Sequence, residues 1–250
     1  LLELSKDYQV TEITNQEFNV AQINSISKKH PKWRQLSKAP TFALTFAGTY
    51  HTLMSNCGFS MEDAKSIEQR YHKLYAVSDA WVYEKIRQAH TDGYSLGAFG
   101  LRIRTPLLKQ VVHGAPRTPY EASAEARTLG NAISGQSYGQ LNNRAAVDFW
   151  KKVWASPYRY DILPVAMIHD AIYAIVRNEL AIVEWTNREL IVSMSWQELP
   201  ELHHPTVKLG AALDLFWPNW ANPITLPNNA NMQTILDTCI ASQEGAQTKE

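Results

Sequence analysis

The stretch Leu163-Pro164-Val165-Ala166-Met167-Ile168-His169-Asp170-Ala171-Ile172-Tyr173-Ala174-Ile175-Val176 constrains the fold of this chain more than any other. Two apolar runs of strand length flank one polar pair. Short apolar runs rich in β-branched residues read as strands, and a two-residue connection joins them as an antiparallel hairpin. The pattern predicts strands over 163–168 and 171–176 with His169-Asp170 at the turn. A carboxylate there is held on a rigid ladder yet reaches solvent, which suits a divalent-cation ligand. The same pair also fits an ordinary turn, where Asp is common. A metal hydrolase of the His-Asp kind needs further His and Asp ligands, and no convincing set is found.

Other elements follow from periodicity and punctuation. Residues 1–30 are polar with weak helical periodicity. Residues 60–91 form the clearest helix, with Ser60 as cap and Glu62 and Asp63 in the first turn, where the helix dipole favours acids. Ala64, Ile67, Tyr71, Leu74, Ser78, Trp81 and Ile86 recur on one helical face, and Asp92-Gly93 ends it. Residues 94–113 read as a short hairpin with glycines at its bend, and Pro116 and Pro119 mark a break. A long helix is expected from about Tyr120 to Trp154, with an interruption near Gly135. Residues 178–194 read as a helix and Val207 to Leu215 as a strand. The polar tail after Pro227 is expected to fray.

Lys plus Arg equals Asp plus Glu at 24 each. That argues against a wholly basic nucleic-acid coat but leaves room for a local basic groove. The two cysteines, Cys57 and Cys239, lack metal or disulfide spacing, which fits a reducing, cytosolic setting. No run approaches the ~20 apolar residues of a membrane span, and no signal peptide opens the chain. The first residue is Leu and the pattern begins abruptly, as in a fragment or processed product. His203-His204 has no ligand partners in sequence and reads as a surface loop. Trp217-Pro218-Asn219-Trp220 reads as packing for the chain end, with base stacking as the alternative. Arg102, Arg104, Lys109 and Arg117 are either template-phosphate contacts or a solvated hairpin face.

A second cluster carries chemistry: Arg34-x3-Lys38-x3-Phe42-x3-Phe46. Steps of four keep these side chains on roughly one helix face. Cations near a helix start can hold a polyphosphate, and an aromatic further along can pack on a sugar or base. An amphipathic helix with a solvated basic start explains the same letters. Pro40 removes a helix hydrogen bond, so the helix either begins near Pro40 or bends there.

Taken jointly and in order, the two clusters resemble motifs B and C of the family A, polymerase I-like DNA polymerases. Gly48 stands just beyond Phe46. Gly93-Tyr94 and Phe99-Gly100-Leu101-Arg102-Ile103-Arg104 resemble the family's GY…FGRRR segment. Arg127, Asn131 and Gln136-Ser137 resemble its helix facing the primer–template, and Val207-Lys208-Leu209-Gly210 its closing palm strand. The likeness covers roughly residues 1–220, with a phage flavour in Thr41-Phe42-Ala43-Leu44-Thr45-Phe46.

The resemblance implies an α/β (α+β) fold, with helical fingers over 1–115 and part of a palm with antiparallel sheet over 116–250. It implies a DNA-directed DNA polymerase using dNTPs and primer–template DNA in replication. Arg34 and Lys38 would contact the triphosphate, Lys38 acting at the leaving group. Phe42 would lie beneath the incoming sugar and Phe46 near the templating base. Asp170 would bind catalytic Mg2+, His169 would support the primer terminus, and Arg127, Asn131 and Gln136 would line the minor groove. Three departures stand out: Ala171 where many members have Glu, five residues from Asn131 to Gln136 where four are expected, and no motif A. Without that Asp-x-Ser-x2-Glu strand the two-Mg2+ site lacks a carboxylate. The expectation is therefore a fragment inactive alone, completed by an upstream segment or polypeptide carrying motif A. One half of a split polymerase, a non-catalytic DNA-binding remnant, and a relative of the single-subunit RNA polymerases are the alternatives.

Overall fold

The structure is a computed structural model and describes residues 29–112, 117–200, 202–205, 207–217 and 219–247. The weak helical periodicity expected over residues 1–30 falls, but for the last two, outside the described residues. Among the described residues helices dominate, with three two-stranded antiparallel sheets, so the fold is mixed α+β as expected. Among the described residues, one compact unit runs to Ser134 and a second begins at Gly135. The division falls inside a helix.

In the first unit, α1 (Pro31–Thr45), α2 (Tyr50–Cys57) and α3 (Met61–Leu74) surround Leu44, Leu53 and Ala64. Pro31 sits in the first turn of α1, where its missing N–H costs nothing. The helix continues through Pro40, which is buried on the same side as Leu44. It therefore does not begin at Pro40, and Lys38 lies on its flank rather than at its mouth. A Schellman ending closes α1: the Ala47 N–H donates to the Leu44 carbonyl and the Gly48 N–H to the Ala43 carbonyl. Ala47 takes the left-handed position, φ 59°. A Cβ on Gly48 would lie 2.5 Å from the Ala43 oxygen, so only glycine fits this tight return. Tyr71 ties α3 to α1 through a 2.9 Å hydroxyl bond to Thr45.

The single helix expected over 60–91 is two, α3 and α4 (Ala76–Asp92), divided at Tyr75. The predicted stripe serves two different cores. Ala64, Ile67 and Tyr71 pack with Leu44 and Leu53, whereas Ile86 and Ala89 pack with Leu108 and Leu129. Leu74 and Trp81, between them, are exposed. No glycine or proline marks the break; it lets each half turn its face to its own cluster. The hairpin follows as β1 (Tyr94–Leu96) and β2 (Arg102–Arg104).

The long helix α5 (Tyr120–Ala155) is continuous, without the interruption expected at Gly135. In the second unit it packs against β3 (Ile162–Ile168), β4 (Ala171–Val176) and α6 (Leu180–Met194) around Phe149, Val153, Ile162 and Leu190. Asp161 and Arg177, at the open end of the β3–β4 hairpin, form a 3.1 Å ion pair. The expected strand 207–215 is shorter: β5 (Leu213–Phe216) pairs with β6 (Pro223–Leu226). Val207 and Leu209 instead bind one side-chain amide. Gln197 Nε2 donates to the Val207 carbonyl, and its Oε1 accepts from the Leu209 N–H. That amide takes the place of a strand partner. The tail expected to fray holds α7 (Met232–Gln247), capped by the Asn231 side chain on the Thr234 N–H. Ile235 is buried with Val183 and Leu226. An asparagine cap and a few apolar residues suffice where a helix has a partner surface.

Between α5 and α6 lies a polar staple. The buried Ser193 hydroxyl donates to Asp148 at 2.7 Å and accepts from Lys152 at 3.1 Å, and Lys152 also faces Glu189 at 3.4 Å. The Ser193 hydroxyl, helped by Lys152, holds the Asp148 carboxyl below its ordinary pKa.

Two predictions arise from these contacts. Ala47→Gly removes left-handed strain at an alanine, so the urea midpoint rises with an unchanged m-value, by about 1 kcal/mol. A depressed folded pKa contributes stability above the unfolded carboxylate pKa, about 4, and loses it as pH falls through the folded value. Denaturant midpoints of wild type and Asp148→Asn therefore differ most near neutral pH and converge in acid.

Candidate functional site

The β3–β4 hairpin fulfils the sequence pattern almost to the residue. Ile168 pairs with Ala171, leaving His169 and Asp170 as the turn. Such a turn needs positive φ, and His169 supplies it at 54°. A non-glycine residue rarely stays there unless its surroundings hold it. Asn142 of α5 provides the hold. Its Nδ2 donates to the His169 carbonyl at 3.2 Å and to the Ala171 carbonyl at 3.4 Å, bracketing Asp170. Asn142 is only 7% exposed, and its Oδ1 has no protein partner. The side chains of His169 and Asp170 are exposed. Asp170 is thus a projecting carboxylate on a backbone fixed from behind.

Asn142 was not anticipated from the sequence. Its only signal is an amide in a stretch of mixed helix, one of two adjacent asparagines, and nothing in spacing separates it from Asn143.

β3 is apolar at nearly every position, yet Leu163, Val165, Met167 and Ile168 are exposed, Val165 by 61%. A strand without polar alternation normally has both faces covered. The hairpin stands as a two-stranded sheet in which Ile162 is buried in the core and Ile172, Ala174 and Val176 of β4 pack against it.

In the first unit, Arg34, Lys38 and Phe42 lie along one exposed face of α1, and Phe46 caps it. The Phe42 and Phe46 rings stack with centroids 6.1 Å apart. No acid occupies the first turn, and among the described residues neither Arg34 nor Lys38 has a carboxylate partner. Arg34 stands close to the positive end of the helix dipole and Lys38 a turn beyond it, and the two cations together favour an anion alongside.

Arg127, Asn131 and Gln136 are exposed on α5. Arg127 lies over the Tyr120 ring. The five-residue step from Asn131 to Gln136 lies within α-helix. His203 and His204 are exposed; His204 Nδ1 accepts from the Val207 N–H. Trp220 stacks on Tyr173 at 5.1 Å and on Phe216 at 5.4 Å, which joins the 217–220 segment to β4 and β5. Both tryptophans there stay exposed.

Among the described residues no three His, Cys, Asp or Glu side chains gather as a metal site. Asp170 is a single donor, so the donor set of a two-cation centre is incomplete on these residues. No helix among them is long and apolar enough to cross a membrane.

Comparison with solved structures finds a similar fold. The chain resembles the polymerase domain of Pol1 from M. smegmatis, solved in complex with DNA primer-template and dNTP. The TM-score is 0.58 at 19% identity, over 72% of this chain and 29% of that one. The fold is polymerase-like. This chain spans less than a third of the solved neighbour's length. No family model matches, and the curated proteins give no significant match.

Asn142→Ala leaves two turn carbonyls without their donor. The expected loss is about 1–3 kcal/mol, with faster amide exchange at Asp170 and Ala171 than in β5 and β6, read by hydrogen exchange.

Proposed function

We propose that this chain is the nucleotide-binding and primer-facing part of a DNA-directed DNA polymerase of the polymerase I-like family, phage-type in flavour. The carrying observation is the projecting Asp170 on an Asn142-braced turn, in a fold similar to a polymerase domain. The unpaired cations of α1, with stacked rings beyond them, support a nucleoside triphosphate as ligand. In this reading residues 1–115 act as fingers and 116–250 as palm.

Arg34 and Lys38 neutralise the triphosphate, and Lys38 stabilises charge on the departing pyrophosphate. Phe42 packs against the sugar, and Phe46 lies near the templating base. His169 supports the primer end, and Arg127, Asn131 and Gln136 contact the minor groove. Asp170 is the one carboxylate these residues bring to a Mg2+ site. Such a site requires a second acidic strand, on other residues of the same polypeptide or on a partner.

The incomplete donor set and the uncovered β3 favour a second reading alongside the first: one half of a split polymerase. Both readings predict no extension by these 250 residues alone.

Primer extension tests the assignment. In the polypeptide or complex that supplies the second acidic strand, Asp170→Ala should abolish extension. Lys38→Ala should lower kcat/KM for dNTPs by about 10²–10³. Mg2+-dependent extension by the isolated chain, lost in Asp170→Ala, would show that no second strand is needed. Unchanged kinetics in both variants would remove the polymerase reading.

A further inference from the structure

In the second unit the buried stripe of α5 runs through Ala145, Phe149 and Val153, at the four-residue step of a helix. Asn142 stands one step earlier on that stripe and is buried with it. An apolar residue would continue the pattern without removing an amide from water. The amide is moreover only half used. Its Nδ2 donates twice, while Oδ1 is buried without a hydrogen-bond partner. A buried acceptor left unmatched costs stability. Stabilising the fold is therefore not a sufficient account of this residue.

What its two hydrogen bonds fix is a direction. The His169 carbonyl belongs to the peptide that enters Asp170, and the Ala171 carbonyl lies just beyond the peptide that leaves it. Held on both sides, the Cα–Cβ bond of Asp170 points one way. The turn is ill suited to keep that direction alone. His169 has positive φ and Asp170 does not, an arrangement that favours glycine at the first turn position. Both partners of the amide are carbonyls, so only Nδ2 can face them and the orientation of the side chain is determined. The brace is itself anchored, since Phe149 and Val153 of the same helix share a core with Ile162 at the base of β3.

We propose that Asn142 is a positioning residue for the chemistry at Asp170: it aims that carboxylate through the backbone on either side, and its loss slows nucleotidyl transfer while substrate binding is kept. The reaction named here rests on the polymerase reading; the aiming of Asp170 rests on the two hydrogen bonds. Alignment of a reacting group is demanded most in the transition state, so an error of about 1 Å lowers the rate far more than the affinity. Asn142 makes no contact with substrate in this account and acts only through Asp170.

The test is single-nucleotide incorporation by rapid quench, in the polypeptide or complex that supplies the second acidic strand. In Asn142→Ala the incorporation rate should fall by about 10–100-fold, with dNTP half-saturation, primer–template affinity and the fraction of active enzyme unchanged. A merely structural role would lower the active fraction and leave the rate of each active molecule alone. Asn142→Asp keeps the shape without the donor and should slow the reaction likewise. Asn143→Ala, at the neighbouring exposed asparagine, should match wild type. In the 250-residue chain, amide NMR should show Asp170 in one environment in wild type and in several in Asn142→Ala. A wild-type rate in Asn142→Ala overturns the proposal, as does a loss confined to the active fraction or to half-saturation, or an equal loss in Asn143→Ala. If Asp170→Ala abolishes extension and Asn142→Ala does not slow it, this proposal falls and the polymerase reading stands. If Asp170→Ala leaves extension intact, the polymerase reading falls, and the NMR comparison alone decides whether Asn142 aims Asp170.

Discussion

Two hydrogen bonds from one side chain underlie the second unit's chemistry. Asn142 Nδ2 reaches the carbonyls on either side of Asp170. A two-stranded hairpin is marginal by itself, and this one turns through a left-handed histidine. Such a turn keeps its shape only when neighbouring structure overdetermines it. The helix α5 does so from behind, with Phe149 and Val153 packing on Ile162 at the hairpin base and Asn142 gripping its tip. Rigid support at both ends leaves the carboxylate itself unencumbered.

Charge is used in two ways in this chain. Between α5 and α6, Lys152, Asp148, Glu189 and Ser193 satisfy one another, partly shielded from water. That arrangement is internally complete and has no capacity left for a ligand. Along α1 and on the β1–β2 hairpin the cations lack carboxylate partners among the described residues. An anionic ligand would find these cations without competing carboxylates among the described residues. A net charge of zero conceals this division, since the acids that balance the total are placed elsewhere.

Much of the backbone was legible because strong local signals agreed with tertiary need. The apolar runs around His169-Asp170 fixed β3 and β4, and Ser60 with its acidic first turn fixed the start of α3. The failures share a cause: a distant partner decided the outcome. Tyr75 carries no breaker, and the helix divides there because its two halves serve different clusters. Val207 to Leu209 has strand letters but meets the Gln197 amide rather than a strand. The last helix looked too polar to persist, and it persists because α6 and β6 cover Ile235. Of the candidate site, Asp170 and the α1 face were legible from spacing. Asn142 was not, since its role depends on which carbonyls the fold brings beside it.

The apolar surface that β3 leaves exposed among the described residues has a consequence for the chain's behaviour in concentrated solution. An open strand edge bearing Val165, Met167 and Ile168 invites pairing with the same segment of another molecule. Asp161 and Arg177 stand at the mouth of this hairpin and His169-Asp170 at its tip, so every apolar run is bounded by charged or polar gatekeepers. The carboxylate read here as a cation ligand thus also guards against self-association. Its neutral replacement carries a solubility cost separate from any effect on chemistry.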